Sequence, residues 1–220
     1  MGAYGGITGK GTGALERGNT RQAILEAALE LFSVQGFEAT SIAQIADAVG
    51  VRKASLYSHF ESKQAILDVL TKDILEQYAT RSIFAGADAE RDLPLTADAA
   101  EQMIRGQMGY ILHDPHISRA RKMLVLEQFR NPELARLQTK QNYTDVLDYF
   151  TGMIRLLIRR GVLAGEDPEI MAAQLCLPIS AWINLCDREP EREDEIMDRV
   201  SRHVRQFFRI YQAEARSDHE

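Results

Sequence analysis

The strongest constraint on this fold is the spacing of apolar residues, which recur every three to four positions along nearly the whole chain. That spacing matches the 3.6-residue turn of an α-helix, and no segment sustains the apolar–polar alternation of a β-strand. The sequence therefore predicts an all-α protein. Glycine, proline and capping residues separate predicted helices near 20–35, 62–80, 96–113, 116–129, 132–160, 168–186 and 191–213.

Two further helices, both short, are predicted between residues 40 and 60. Thr40 or Ser41 is the expected cap of the first, and Ser41 with Gln44 fits a capping box. Gly50 ends this helix, and the second is expected at residues 52–59 after only one or two intervening residues. Two short helices across a tight glycine turn are the helix-turn-helix pattern.

The chain divides by composition into three segments. Residues 1–18 are rich in glycine and lack the apolar stretch of a secretory signal, which predicts a flexible tail. Residues 19–64, opening at a cap on Asn19 or Thr20, are expected to form the helix-turn-helix domain, and residues 65–220 a larger helical domain. A polar stretch at 85–94 is interpreted as a linker.

The formal net charge of −6 is unevenly distributed along the chain. Residues 1–64 hold six basic and six acidic side chains, so the remainder carries the whole negative excess. Within residues 50–63 three basic side chains oppose only Glu61, which leaves a local charge of +2. Because a nucleic acid responds to the local field, the acidic overall balance does not exclude DNA as a partner.

The second short helix has two distinct faces. Leu56 and Phe60 lie one turn apart and should pack inward against the other helices. The outward side chains are small or form hydrogen bonds, which lets a helix enter the major groove, while Tyr57, His59 and Lys63 suit phosphate oxygens. The candidate DNA contacts here are Lys53, Ala54, Ser55, Tyr57, Ser58, His59 and Lys63. The alternative is a three-helix cluster whose polar face binds nothing.

The two short helices, together with Lys63 just beyond them, resemble the signature of the tetracycline-repressor (TetR) family. The matching residues are Thr40-Ser41-Ile42-Ala43-Gln44-Ile45-Ala46-Asp47-Ala48-Val49-Gly50-Val51, then Lys53-Ala54-Ser55-Leu56-Tyr57-Ser58-His59-Phe60, and Lys63. The resemblance is strong over residues 20–67, and elsewhere extends only to helix count and breaks. It implies that Ser41 and Ala43 lie nearest DNA on the first short helix, that Lys53, Ala54 and Ser55 meet bases, and that Tyr57, His59 and Lys63 hold the backbone.

Two positions depart from the family pattern. Arg52 stands where the family usually has a serine or threonine cap, which should weaken the helix start but adds a cation near phosphate. Ala54 replaces a common glycine, so the backbone should approach DNA slightly less closely.

The resemblance also implies a homodimer formed by the helices near 168–186 and 191–213. Both carry long apolar stripes, namely Leu175, Ile179 and Ile183, then Ile196, Val200, Val204, Phe207 and Phe208. The same stripes would serve equally well as the core of one chain. A dimer is nonetheless expected, because one short recognition helix reads too few base pairs and a two-fold protein matches a palindromic operator.

A ligand pocket is expected among the middle helices, as in the family. Methionine and aromatic side chains line adaptable apolar cavities, although ordinary core packing explains them equally well. The candidates are Met103, Gln107, Tyr110, Met123, Leu126, Phe129, Tyr143, Phe150, Met153 and Trp182. The effector would be a small apolar or amphipathic molecule.

No catalytic, cofactor or metal site is expected. Cys176 and Cys186 would lie about 15 Å apart on one helix, beyond disulfide reach, so we interpret them as reduced and the protein as cytoplasmic. His113 and His116 lack a third ligand nearby. The apolar segment 170–186 is expected to be too short and too polar to span a membrane.

The sequence thus predicts a dimeric, ligand-responsive transcriptional regulator. Repression is favoured over activation because blocking a promoter requires only occupancy. One alternative is a DNA-binding regulator without a small-molecule inducer, controlled by abundance or a protein partner. The other is a helical enzyme or small-molecule carrier with a vestigial helix-turn-helix, although no paired carboxylates or activated nucleophile support it.

Overall fold

A computed structural model describes residues 11–81 and 93–213, with side chains described over 19–77 and 93–213. These residues form helices without a β-sheet, apart from one isolated antiparallel bridge between Leu163 and Gln212. The helices are α1 (Gly11–Gln35), α2 (Ile42–Val49), α3 (Lys53–Tyr57), α4 (Lys63–Arg81), α5 (Ala97–His113), α6 (Pro115–Glu127), α7 (Pro132–Thr139), α8 (Asp145–Arg159), α9 (Pro168–Arg188) and α10 (Glu193–Ile210). The all-α prediction is confirmed.

The first helix is longer than the sequence suggested. It begins at Gly11, so residues 11–18 belong to α1 rather than to a tail. The rest of the predicted tail, residues 1–10, and most of the predicted linker, residues 85–92, lie outside the described residues.

The chain splits into two compact units, Met1–Ile74 and Leu75–Glu220. The division falls inside α4, later than the boundary expected after residue 64. In the first unit α4 buries one stripe, Ile66, Leu67, Leu70 and Ile74. The periodicity of α4 predicts that Leu75 is buried with them, but Leu75 lies outside this stripe and is 44% exposed.

The segment expected as one helix over 132–160 is interrupted by a π-helical turn, Lys140–Thr144. The buried stripe of α7 runs through Leu134 and Leu137 and reaches Gln141 in the π-turn. Regular helical spacing would continue it onto Asp145 and Asp148. The core residues of α8 instead begin near Phe150. A π-turn adds a residue to the helix and rotates the next helical segment, which brings the apolar face of α8 back to the core.

The core of the second unit is built from α5, α8, α9 and α10. The apolar stripes on α9 and α10 that seemed suited to a dimer interface lie largely inside this core. Leu175, Ile179, Ile196, Val200, Val204, Phe207 and Phe208 are all buried within the single chain, and Ile183 packs partly against them. The intramolecular alternative is therefore correct for these stripes.

Helix α9 is central to the second unit. Six of its side chains are buried, including Cys176 and Cys186, which are free thiols. Burial raises the pKa of Cys176 to about 11, so this thiol is protonated and unreactive at neutral pH. Among the described helices α9 alone is long and apolar enough to cross a membrane, contrary to expectation, but a buried core helix meets the same criteria.

Candidate nucleic-acid interface

The start and the end of α2 are fixed by local hydrogen bonds. The Ser41 hydroxyl accepts from the Gln44 N–H at 3.2 Å, and the Gln44 side chain accepts from the Ser41 N–H at 2.8 Å. This confirms the predicted capping box. Gly50 closes the helix with a φ of +75°, and the Val51 N–H donates to the Ala46 carbonyl at 2.9 Å. The turn into α3 is therefore short and rigid.

Helix α3 is anchored from one side and open on the other. Leu56 and Phe60 are buried, as predicted. Of the candidate DNA contacts, Lys53, Ala54, Tyr57 and Ser58 are exposed, whereas Ser55 and His59 are half-buried. On α2, Ser41 is exposed and Ala43 is half-buried. Arg52 precedes α3 without a side-chain cap hydrogen bond, which agrees with the weak helix start expected for arginine there.

Lys63 lies at the first position of α4, and its ammonium group is occupied inside the protein. It donates to the carbonyl oxygens of Phe37 at 2.6 Å, Thr40 at 2.8 Å and Glu38 at 3.4 Å. It also lies 4.2 Å from the centre of the Phe37 ring. A phosphate contact, the role predicted for Lys63, would require at least one of these bonds to break.

Arg21 is a basic residue of this unit that the sequence patterns did not single out. Its guanidinium lies over the Phe60 ring, 4.9 Å from the ring centre. This cation–π contact joins an exposed arginine of α1 to Phe60, which follows the end of α3. The available signal was an arginine in the first predicted turn of α1, but sequence spacing does not reveal that it meets Phe60.

The candidate pocket residues fall into three groups by burial. Met123, Phe150 and Met153 are buried, and Met103, Gln107, Tyr110 and Trp182 are half-buried. Leu126, Phe129 and Tyr143 are 42%, 89% and 53% exposed, so the structure of one chain does not enclose them and their place in a pocket stays a prediction. Exposure depends on which helix covers a side chain, and residue type alone does not specify that.

The second unit contains a buried tyrosine hydroxyl and a buried arginine side chain. The hydroxyl oxygen of Tyr110 is buried and has no hydrogen-bond partner in the described part of the chain. Arg121, on α6, forms a two-point ion pair with Asp187 in the last turn of α9, with Nη2 to Oδ1 at 2.7 Å. In the described ranges no group of three or more His, Cys, Asp or Glu side chains is placed to hold a metal.

A capped α2, a left-handed glycine turn and an α3 with exposed polar side chains together define a helix-turn-helix unit. A separate all-helical unit lies C-terminal to it. The model of bacterial regulatory proteins of the tetR family matches residues 24–70, and that of the C-terminal domain of AefR-like transcriptional repressors matches residues 100–213. The chain belongs to the TetR family of bacterial transcriptional regulators.

Named relatives agree with this assignment. The HTH-type transcriptional repressor BepR of Brucella suis is 32% identical over 169 residues, 74% of this chain and 77% of BepR. The HTH-type transcriptional regulator RutR of Escherichia coli is 28% identical over 149 residues, 68% of this chain. The aligned part spans 66% of RutR, just under two thirds of its length.

Solved structures share the fold. SmeT, the repressor of the Stenotrophomonas maltophilia multidrug efflux pump SmeDEF, has been solved in complex with triclosan. That structure matches with a TM-score of 0.64 and 20% identity, over 90% of this chain and 93% of SmeT. NalD of Pseudomonas aeruginosa matches with a TM-score of 0.59 and 22% identity, over 91% of this chain and all of NalD.

Proposed function

We propose that this protein is a cytoplasmic repressor that occupies a palindromic operator as a dimer and leaves it when a small apolar or amphipathic effector binds. The observation that carries the proposal is the exposed face of α3, where Lys53, Ala54 and Tyr57 are open to solvent while Leu56 anchors the helix from behind. BepR, which is named a repressor, supports the assignment at 32% identity.

In this proposal the contacts divide between base readout and backbone. Lys53, Ala54 and Ser55 open α3 and would meet base edges in the major groove. Tyr57, Ser58, His59 and the exposed Ser41 would bind phosphate oxygens, with Ala43 close to the backbone. The exposed guanidinium groups of Arg21 and Arg52 would add positive charge at the same surface.

Selection from a library of random duplexes tests DNA binding. We expect a palindrome to be enriched at low salt, with half-site centres about one DNA turn apart, roughly 10 bp. Tyr57→Ala should weaken binding to it about tenfold or more, because each protomer loses a contact. The matched control is Tyr143→Ala, since Tyr143 is exposed to the same degree, 53% against 51%, but lies in the other unit. Absence of any enriched sequence would contradict DNA binding.

We further propose that the dimer forms through the face of α9 that lies opposite its buried face. Ile170, Gln174, Leu177, Ala181 and Leu185 follow one another at helical spacing along that side, and all are exposed or half-buried. The outer face of α10 offers charge instead. Arg199 pairs with Glu195 at 2.6 Å and Arg202 with Asp198 at 3.1 Å. The apolar stripe of α9 is therefore the better interface.

The effector site would lie among the half-buried candidates of the second unit. The Tyr110 hydroxyl supports this location, because a buried polar atom without a partner gains a hydrogen bond when a ligand oxygen arrives. Met103 and Gln107 lie on the same helix and offer apolar and polar contacts. Effector binding would shift α4, in which the division between the two units falls, to an arrangement that the effector prefers.

A thermal-shift screen of small apolar phenols, with triclosan among them because SmeT binds it, tests the effector. At least one compound should raise the unfolding temperature and release the operator. Tyr110→Phe should weaken that compound about tenfold through one lost hydrogen bond, with operator affinity unchanged. Binding without operator release would contradict the switch. No binding across the screen would favour a regulator without a small-molecule inducer.

A further inference from the structure

The turn between α1 and α2 aims several backbone carbonyls at one point. Gly36 adopts a φ of +83°, and the Thr40 N–H donates to the Phe37 carbonyl at 3.3 Å. The Thr40 side chain, 1% exposed, donates to the Gly36 carbonyl at 2.8 Å and accepts from the Gln35 amide at 3.0 Å. These bonds hold the turn in a shape that leaves the Phe37, Glu38 and Thr40 carbonyls pointing toward the same place.

The Lys63 ammonium occupies that place. An ammonium group has three N–H donors and no acceptor, and three carbonyl oxygens lie within 3.4 Å of this one. The Phe37 ring adds a cation–π contact at 4.2 Å. Two of its three donors are therefore committed to carbonyl oxygens of the turn at short distance, and the third lies near a further carbonyl.

We propose that Lys63 is a positioning residue that ties the first turn of α4 to the start of α2. The inference rests on the proposed function, because it concerns how the DNA-reading helices are held. Thr40, whose carbonyl oxygen accepts from Lys63, immediately precedes Ser41, the cap of α2. Any displacement of the first turn of α4 is therefore passed to the α2 end nearest DNA, through a contact that spans 23 residues of sequence.

Lysine suits this role in a way that arginine does not. The ammonium is compact, and its three donors diverge from one atom, which matches three carbonyls around a point. A guanidinium is planar, and its N–H donors point outward from three separate nitrogen atoms. The positioning role therefore predicts that arginine, although it keeps the charge, fails to replace lysine here.

The test compares Lys63→Met and Lys63→Arg with Lys53→Met and Ile66→Val in binding to the selected operator over a range of salt concentrations. Both Lys63 variants should bind about tenfold or more weakly, with the salt dependence of the wild type. Lys53→Met removes a proposed DNA contact and should lower the slope of log affinity against log salt by about 1 for each protomer. Ile66→Val, a core change in α4, should lower the unfolding temperature but not the affinity measured well below it.

Wild-type affinity for Lys63→Arg, together with a reduced salt slope for Lys63→Met, would overturn the proposal in favour of a phosphate contact. Loss of thermal stability alone, with affinity retained by both variants, would overturn it too. Amide hydrogen exchange provides a readout without DNA. If the wild type binds no duplex, the proposed function fails, yet the Gln44 amide should still exchange faster in both Lys63 variants than in Ile66→Val. Unchanged exchange there would contradict the positioning role.

Discussion

Replacing Ala181 by glutamate is expected to convert the dimer to a monomer and to weaken operator binding by at least about 100-fold. Ala181 is a small, exposed residue on the outer stripe of α9, between Leu177 and Leu185. In a two-fold interface each substitution occurs twice, so two carboxylates would be desolvated in the same apolar contact. Operator affinity falls with dimerisation because a single α3 reads only one half-site.

Sedimentation velocity over a range of protein concentrations measures the first effect, and titration of the selected operator measures the second. Thr139→Glu is the matched control, because it adds a carboxylate at an exposed helical position on α7. The control should remain dimeric and unfold at nearly the wild-type temperature, whereas Ala181→Glu should stay folded but lose the stabilisation that dimerisation provides. If Ala181→Glu stays dimeric, the interface lies elsewhere, and the 89% exposed Phe129 becomes the next surface to test.

Replacing Arg121 by methionine is expected to lower the free energy of unfolding by about 3–5 kcal/mol. Arg121 and Asp187 are 9% and 14% exposed, so the change would leave a carboxylate largely buried without its main partner. Asp187 also lies in the last turn of α9, where the helix dipole disfavours negative charge. Lys122, whose ammonium is 3.8 Å from Asp187, offsets only part of this loss.

Urea unfolding of the single and double variants separates the charge effect from packing. Adding Asp187→Leu to Arg121→Met should recover most of the lost stability, because an apolar pair avoids the desolvation of both ions. The single variant Lys122→Met is the control, since Lys122 is 41% exposed and should cost less than about 1 kcal/mol. A double variant no more stable than Arg121→Met would show that packing around Arg121, rather than its charge, stabilises this region.

The predictions that the structure confirms depend on residues close together in the chain. The Ser41–Gln44 capping box, the Gly50 turn and the inward-facing Leu56 and Phe60 each derive from spacings of three or four positions. A helix repeats every 3.6 residues, so such spacings specify geometry before any other part of the chain is considered. The helix-turn-helix could therefore be predicted with its boundaries nearly correct.

What the sequence left open or did not indicate concerns partners distant in sequence. The stripes of α9 and α10 are apolar, but the pattern did not reveal that these helices cover each other and α5 and α8 within one chain. Phe129 looked like pocket lining, yet no described helix covers it. The contact between Lys63 and the α1–α2 turn joins residues at least 23 positions apart, so no local pattern indicates it.

By itself the sequence determined the position of most helices, which of their faces are apolar, and that Lys53, Ala54 and Tyr57 stand on the outward side of α3. Those properties depend on hydrogen bonds and side-chain periodicity within a few residues. Only the tertiary structure decided which apolar faces are covered inside the chain, which face of α9 is left open, and what the Lys63 ammonium binds. An apolar stripe requires burial but does not specify its partner, and a charged side chain turns to the nearest polar groups that folding brings to it.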